Sequence, residues 1–489
     1  MKSLIPLLLL CTLHVCAQNT ERNYVSPDPA KVIAVMPSVR GQAVPCAGSS
    51  NIKSADLRWK PILTRKFEEI EQSTPHQQYI DSVKAAKLLL KKAWGKTHQR
   101  SGERTTSSVL PAVGTNFAGN TYGGVYPLDN IMAISNRGII VSIINSKIEY
   151  YDSTGTNLYS NSLVSFLGPM LPAGVSVCDP YVLYDPGADR FICFCQEVGL
   201  ISGDTDKVHI CFSKTNNPTA GWWCYTIYGD PTSGHRGYFD YPKMAVNDSE
   251  VFLSGNVFFG MSSGQAVLFQ IDKLAGYTGG SLNFVHYAGI VDSPLTLLPV
   301  GYGQGADMST GMYLVSSRLY GADSLGFYKI TGNWCCSPTM SYWSVPTAPY
   351  SLPADALYSM ALGPLTTDDC RMMSGMYLDG IIHCTFNCDA GSGFCGLNYN
   401  RLDVASLTNV SSIYGVPGYD YAFGGIASFA NSPTDKSVMI GFDAMSMSTD
   451  YPEVRVVGCD SSMTWSGDIS VKAGIAFPMM PAGRWGDYT

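Results

Sequence analysis

The chain has 489 residues and a formal net charge of −7; only 15% of its residues are charged, whereas 45% are hydrophobic. With 49 glycines and 28 prolines the composition favours an all-β protein, because sheets need many turns. Residues 105–489 carry 16 basic and 31 acidic side chains, so nucleic acid is excluded as an expected partner. Of these acids 27 are Asp, a turn former that also supplies oxygen ligands for calcium.

Residues 1–17 have the features of a signal peptide. Lys2 gives the charged start, Leu4 to Leu13 the apolar run, and Val15-Cys16-Ala17 a cleavage site with small residues. The apolar run is too short to span a bilayer, and no later segment qualifies as a transmembrane helix. The sequence therefore predicts export, to the medium or the cell surface.

Residues 18–108 are predicted to form a linker and a helical N-terminal extension. Residues 18 to about 50 are polar and show no periodicity, which is typical of a linker. Gln77 to Lys96 places apolar side chains near helical spacing, and residues 52–104 contain 12 basic and 6 acidic side chains. A basic amphipathic helix could bind a membrane or a partner. We favour the other interpretation, in which the helix packs on its own domain or is a solvated connector.

Repeats begin after residue 108. The clearest is Asp179 to Glu197, in which two β-rich runs flank the turn Asp185-Pro-Gly-Ala-Asp189. Variants recur at roughly 50 to 60 residues, a period typical of propeller blades. We therefore predict that residues 109–489 form a six- to seven-bladed β-propeller, its last blade incomplete or closed by a strand from residues 109–126. A stack of β-sandwiches is the alternative.

Thirteen of the 15 cysteines remain after removal of the signal peptide, and in an oxidising compartment they are expected to pair. Cross-strand bridges are predicted among Cys193, Cys195, Cys211 and Cys224. A zinc site that includes His209 is the less favoured alternative, because the spacing fits no usual zinc motif. Cys384, Cys388 and Cys395 are predicted to staple a Gly-rich hairpin.

Aspartates open several of the predicted first strands, which would place them around one mouth of the propeller channel. The candidate ligand-binding residues are Asp129, Asp179, Asp240, Asp420, Arg484 and Asp487. Asp179, Asp240 and Asp420 are the candidate metal ligands, with calcium as the expected ion. Two alternatives stay open: the carboxylates cap the strand entrances by accepting backbone N–H bonds, or Arg484 neutralises the ring.

Asp460-Ser-Ser-Met-Thr-Trp465 resembles the Asp-box of sialidase-like propellers, Ser-x-Asp-x-Gly-x-Thr-Trp. Asp460, Thr464 and Trp465 match, whereas Ser462 replaces the usual Gly and Gly458 the usual Ser. The resemblance implies a structural turn between outer strands, away from any active site. The wider pattern, from Asp-Pro-x-Val-x-Tyr-Asp to the terminal Arg-Trp-Gly-Asp-Tyr, is similar to a group of secreted bacterial propellers of unassigned activity.

These observations predict a secreted or surface β-propeller that binds glycan or protein. The first alternative is an extracellular glycoside hydrolase of the sialidase-like type, although the Arg-Ile-Pro segment of that superfamily is absent and enzymatic activity is not favoured. The second is a structural domain of a longer secreted protein.

Overall fold

The computed structural model describes residues 33–36, 42–45, 48–53, 55–57, 75–97, 110–125, 127–168, 170–198, 207–231, 237–259, 263–302, 310–357, 364–428, 434–446 and 451–475. The predicted signal peptide and the terminal Gly483–Thr489 motif lie outside these residues. None of the described helices is both long and apolar enough to cross a membrane.

Four short strands precede the propeller: β1 (Ile33–Met36), β2 (Gln42–Pro45), β3 (Gly48–Lys53) and β4 (Ala55–Leu57). We refer to them as the strap. Helix α1 (Pro75–Thr97) follows them, close to the predicted Gln77–Lys96. Apart from the two-residue strand β18, the remaining described strands form six antiparallel sheets of four strands each, so the molecule is a six-bladed β-propeller.

Blade 1 comprises β5 (Ile131–Ile134), β6 (Ile140–Ile144), β7 (Lys147–Tyr151) and β8 (Asn157–Ser162). Blade 2 follows helix α2 (Leu163–Leu167) and comprises β9 (Ser176–Asp185), β10 (Arg190–Val198), β11 (Lys207–Ser213) and β12 (Trp222–Tyr228). Blade 3 comprises β13 (Tyr238–Val246), β14 (Glu250–Phe259), β15 (Ser263–Asp272) and β16 (Ser281–Tyr287), with helix α3 (Lys273–Thr278) between its last two strands.

Blade 4 comprises β17 (Leu298–Pro299), β19 (Met312–Ser316), β20 (Gly321–Thr331) and β21 (Thr339–Ser351). Its first strand is interrupted, because β18 (Gly301–Tyr302) pairs in parallel with the first strand of the next blade. Blade 5 comprises β22 (Met372–Leu378), β23 (Ile381–Asp389), β24 (Cys395–Asp403) and β25 (Thr408–Tyr414). Blade 6 comprises β26 (Tyr419–Ser428), β27 (Val438–Ser446), β28 (Glu453–Cys459) and β29 (Ile469–Lys472).

The first strands of successive blades contact one another from blade 1 to blade 6, so they surround a common axis. Each starts at the same end of the propeller, which we name the rim; the turns between second and third strands also lie there, since strands alternate in direction. A buried apolar cluster that includes Tyr241, Leu365, Met373 and Phe423 joins the first strands of blades 3, 5 and 6. We name the rim end of the common axis the mouth.

The expectation of a closing strand from residues 109–126 needs correction, whereas the incomplete last module predicted from Gly483–Thr489 lies outside the described residues. Residues 110–125 contain no strand and complete no seventh blade, and the sixth blade takes all four of its strands from residues 419–472. Asn116 donates a hydrogen bond to the carbonyl of Val471 at 2.9 Å, which joins this segment to the last strand of blade 6.

The strap corrects the linker interpretation at residues 33–36, 42–45 and 48–50, which are strands; the rest of residues 18–50 lies outside the described part of the chain. β4, β3, β2 and β1 pair with the outer strands of blades 2, 3, 4 and 5 respectively. Strands of three to six residues are too short to show alternation, and they form because a blade edge offers unpaired backbone groups.

Side-chain amides join neighbouring blades near the rim. Asn145, Asn256 and Asn387, each on a second strand or at its end, accept a backbone N–H from the entry to the next blade. The donors are Asp179 at 2.8 Å, Thr296 at 2.7 Å and Phe423 at 3.0 Å. These bonds satisfy backbone groups that the bulged first strands leave outside the sheets.

Candidate functional site

Three of the predicted aspartates lie together at the rim, around the Cys178 thiol. Burial raises the pKa of Cys178 well above its usual value, and the charges of Asp179, Asp240 and Asp129 raise it further. Asp129 is buried, whereas Asp179 and Asp240 are half-buried and face the mouth. Blades 1, 2 and 3 thus each contribute one carboxylate to what we name the carboxylate cluster.

Amide side chains fix the cluster. Asn145 donates to Asp129 Oδ2 at 2.6 Å, and Gln196 donates to Asp179 Oδ2 at 2.9 Å and to the Tyr238 hydroxyl at 3.0 Å. Asp129 and Asp179 have φ angles of 46° and 48°, in the left-handed region that Asp tolerates better than most residues. The backbone conformation and the hydrogen bonds from the amides therefore fix the orientation of the Asp129 and Asp179 carboxylates.

Asp420, the fourth predicted member, has a different partner. Its Oδ1 lies 2.6 Å from Lys91 Nζ of helix α1, with both side chains 0% exposed, and it accepts the Cys395 N–H at 2.8 Å. Burial raises the pKa of Asp420, and the Lys91 charge opposes that shift. Asp179, Asp240 and Asp420 do not form a metal site, since no three His, Cys, Asp or Glu side chains in the described residues are grouped to hold an ion. Arg484 and Asp487 lie outside the described residues.

Helix α1 covers the part of the rim that belongs to blades 5 and 6. Lys84, Lys87 and Lys91 lie on one face of the helix and contact Asp355, Asp389 and Asp420, each at 2.6 Å. Trp94 packs edge-on against Phe394 with ring centroids 5.1 Å apart. The helix therefore packs on its own domain, as favoured from the sequence, and leaves the mouth between blades 1, 2 and 3 as the candidate site.

A second group borders the carboxylate cluster and was not found from the sequence. The Tyr241 ring lies between the Arg371 guanidinium carbon, 4.5 Å from its centroid, and Lys243 Nζ, 4.8 Å from it. Arg371 is paired with Asp368 at 3.1 Å and with Asp369 at 2.7 Å. Because Asp129 also raises the pKa of Tyr241, this cation–tyrosine group adjoins the cluster.

Lys243 is 2% exposed and donates to the carbonyl of Met373 at 2.9 Å. Burial lowers its pKa to about 7, and the Arg371 charge lowers it further. A register shift between Asp240 and Lys243 and a φ of 57° at Tyr241 mark a β-bulge. The bulge breaks the alternation of side chains along the strand, which is why Tyr241 and Lys243 could not be assigned to the axis from the sequence.

The cysteine predictions have mixed outcomes. Cys211 and Cys224 are paired across β11 and β12 and form a disulfide, as predicted for one of the proposed bridges. Cys193 and Cys195 are buried and unbridged, and so are the three cysteines predicted to staple the hairpin, Cys384, Cys388 and Cys395. His209 contacts Glu197 at 3.1 Å and Thr226 at 3.0 Å through its two ring nitrogens, so both are already bonded to protein.

Asp460 closes the turn between β28 and β29, where the resemblance placed a structural turn. Its Oδ1 accepts the N–H groups of Ser462 and Thr464, each at 2.9 Å, and Trp465 donates to Ser412 at 2.9 Å. Asp152 does the same between β7 and β8 for Thr154 and Thr156. Asp152 and Asp460 are therefore turn formers, the first of the two roles that the composition suggested for aspartate.

No protein-family profile matches the sequence, and no curated protein is detectably similar to it. Solved structures are similar in architecture. An endo-arabinase from Bacteroides thetaiotaomicron matches with 11% identity and a TM-score of 0.31, over 57% of this chain and 92% of that one. An alpha-L-arabinofuranosidase from Lactobacillus brevis matches with 12% identity and a TM-score of 0.29, over 54% and 82%. A subtype N11 neuraminidase-like protein of a flat-faced bat isolate matches with 11% identity and a TM-score of 0.35, over 73% and 89%. At these identities and TM-scores the matches indicate nothing about the activity of this chain.

Proposed function

We propose that the chain is a binding module whose ligand is a carbohydrate, taken up at the rim between blades 1, 2 and 3. The observation that supports this most is the placement of half-buried Asp179 and Asp240 beside the Tyr238 hydroxyl and the cation–tyrosine group. Carboxylates accept hydrogen bonds from sugar hydroxyls, and a few convergent polar groups suit a small polar ligand. A protein partner would instead need a contact surface of about 800 Å² on each side.

The site also supports a second candidate, hydrolysis of a glycoside. General acid–base cleavage needs two carboxylates on either side of one bond, and Asp179 and Asp240 come from adjacent blades to the same mouth. Calcium remains a proposal in a narrower form: the half-buried carboxylates of Asp179 and Asp240 would bind it together with hydroxyl oxygens of the sugar, which needs no third protein ligand.

An array of plant, bacterial and sialylated glycans tests the binding proposal. We expect the full-length protein to bind at least one glycan class. Asp179→Asn and Asp240→Asn should each weaken binding about tenfold, because each removes one charged hydrogen bond to the ligand. Asp379→Asn, at the opposite end of blade 5, is the matched control and should bind like wild type. Equal binding by all three variants would contradict the proposed site.

The same samples distinguish binding from hydrolysis. Release of reducing sugar that disappears in Asp179→Asn or Asp240→Asn would favour the hydrolase, and retention of glycan without release favours the binding module. Repeating the array after chelation by EDTA tests the calcium proposal, which predicts weaker binding that added Ca²⁺ restores.

We also infer that the chain is exported, on the basis of the signal-peptide features of residues 1–17. N-terminal sequencing of protein recovered from the medium or cell surface should start at Gln18.

A further inference from the structure

Two adjacent cysteines, Cys335 and Cys336, lie at the end of the propeller opposite the rim. They belong to the turn that connects β20 and β21, the third and fourth strands of blade 4. Both are exposed, and their sulfur atoms are 3.1 Å apart. Among the described residues the other eight unbridged cysteines are buried or half-buried, so this pair alone presents two thiols to solvent.

The turn is held in place by backbone and side-chain bonds that do not involve the thiols. Cys336 N–H donates to the carbonyl of Asn333 at 2.9 Å, and Gln270 donates to the carbonyl of Gly332 at 3.0 Å. Trp334 N–H donates to Glu250 Oε1 at 2.6 Å. Since blade 3 supplies Gln270 and Glu250, the turn is anchored while its two thiols face outwards.

The reactivity of the pair differs from that of the buried thiols. The thiolate is the nucleophile in disulfide exchange, and burial raises the pKa of Cys193, Cys384, Cys388 and Cys459, which keeps them protonated. Cys335 and Cys336 are both exposed, so a small disulfide can reach either thiol, and their sulfurs are within hydrogen-bond distance of each other. The hydrogen bond with Cys336 raises the pKa of Cys335 above its usual value.

We propose that Cys335 and Cys336 form a reversible redox site that reacts with low-molecular-weight disulfides and closes to a bond between the adjacent sulfurs. One thiolate attacks a sulfur of the small disulfide, giving a mixed disulfide and one released thiol. The second cysteine then loses its proton and attacks the protein sulfur of the mixed disulfide, which expels the other small thiol. In sum, two protein thiols are oxidised and one small disulfide is reduced to two thiols.

The closed form should be easily reduced. Consecutive Cα atoms across a trans peptide are about 3.8 Å apart, which is shorter than the usual spacing of about 5.5 Å in disulfides. Strained and exposed disulfides have higher reduction potentials than structural ones. The site is therefore suited to opening and closing with the surrounding thiol pool, unlike the buried Cys211–Cys224 bridge.

Full-length protein incubated in buffers of reduced and oxidised glutathione, acid-quenched, alkylated and mapped by mass spectrometry tests the proposal. We expect the peptide with Cys335 and Cys336 to lose two hydrogens without bound glutathione, and dithiothreitol to reverse the change. Trp334 fluorescence should follow the same titration, because a neighbouring disulfide quenches indole emission.

Variants that stop the second step provide the control. Cys335→Ser and Cys336→Ser should each accumulate a stable glutathione adduct, at a level about tenfold above wild type, whereas Cys459→Ser, which removes a buried thiol, should close like wild type. A wild-type protein that keeps the glutathione adduct, links either cysteine to a third one, or shows no change at this peptide would overturn the proposal. The site lies far from the rim, so its outcome is independent of glycan binding.

Discussion

Lys243 is a cation in a position where the first strand of a blade is otherwise apolar. It stands between Pro242 and Met244 in its strand and donates to the Met373 carbonyl of blade 5, and its pKa of about 7 reflects the cost of burying an ammonium group. The unfolded chain would hold this proton up to about pH 10.5, the ordinary value for lysine. The native state therefore binds fewer protons than the unfolded state between these two values.

Stability should consequently rise with pH across that interval. Because the unfolded state binds more protons there, the Lys243 term increases the free energy of unfolding by about 1.4 kcal/mol per pH unit from about pH 7 to pH 10.5. Lys243→Met should remove this slope, while Lys92→Met on the exposed side of α1 should keep it. Urea unfolding of the three proteins at pH 7.5 and pH 9.5 measures the difference, and parallel pH profiles for wild type and Lys243→Met would contradict it.

The sequence identified the rim aspartates but not the side chains beside them. An Asp before an apolar strand is visible as a pattern, and Asp129, Asp179 and Asp240 do come together. Asp420 instead pairs with Lys91, more than 300 residues away in the chain, and no local pattern carries that information. Tyr241 and Lys243 were missed because a bulge changes which side chains face the axis.

Helix α1 is held on the propeller by three ion pairs. Lys84 and Lys87 keep 13% of their side-chain surface exposed, whereas Lys91 and Asp420 keep none. Partly exposed pairs contribute little to stability, and removal of one partner of a buried pair leaves an uncompensated charge. The buried pair is therefore the position where α1 is most sensitive to substitution.

Lys91→Met should lower the free energy of unfolding by about 3–5 kcal/mol, because it leaves the Asp420 carboxylate buried beside an apolar chain. The double variant Lys91→Met/Asp420→Asn should recover part of that loss, since no charge then remains. Lys92→Met, one residue along the helix and exposed, is the matched control. Urea denaturation curves of these three variants and of Asp420→Asn give the values; additive effects of Lys91→Met and Asp420→Asn would show that the pair is not coupled.

The period of the blades was predictable from the sequence, but their completeness was not. Strands β9 and β10 are readable because Asp, Pro and Gly mark the turn between them. The fourth strands β8, β16, β21 and β25 lack such signals, and the two-residue β17 is too short for any pattern. The six-blade count required the pairing of strands, which is a property of the whole sheet.

For the whole molecule, the strap is the feature that joins non-neighbouring parts of the chain. Its four strands add an outer edge to four consecutive blades and thereby satisfy backbone groups that would otherwise be open to pairing with other chains. A propeller with uncovered outer edges is expected to be less stable and more prone to association.

A variant without residues 33–57 tests this role. We expect a lower thermal midpoint and concentration-dependent association, because the outer strands of blades 2 to 5 lose their partners. Differential scanning calorimetry and size-exclusion chromatography with light scattering measure both properties. An unchanged midpoint together with a monomeric elution profile would show that the strap does not protect these edges.

The direction of the strap has a consequence for folding during synthesis. β4 pairs with blade 2, whose last strand ends at Tyr228, whereas β1 waits for blade 5 and its strand ending at Tyr414. The strap is thus synthesised before any of the strands with which it pairs. As each new blade emerges, β4 can pair first and β1 last, which is the reverse of their order in the chain. Until about residue 414 has been synthesised, Ile33–Met36 has no partner strand. A chaperone that binds N-terminal segments would therefore have more time to bind this strand than any other strand of the strap.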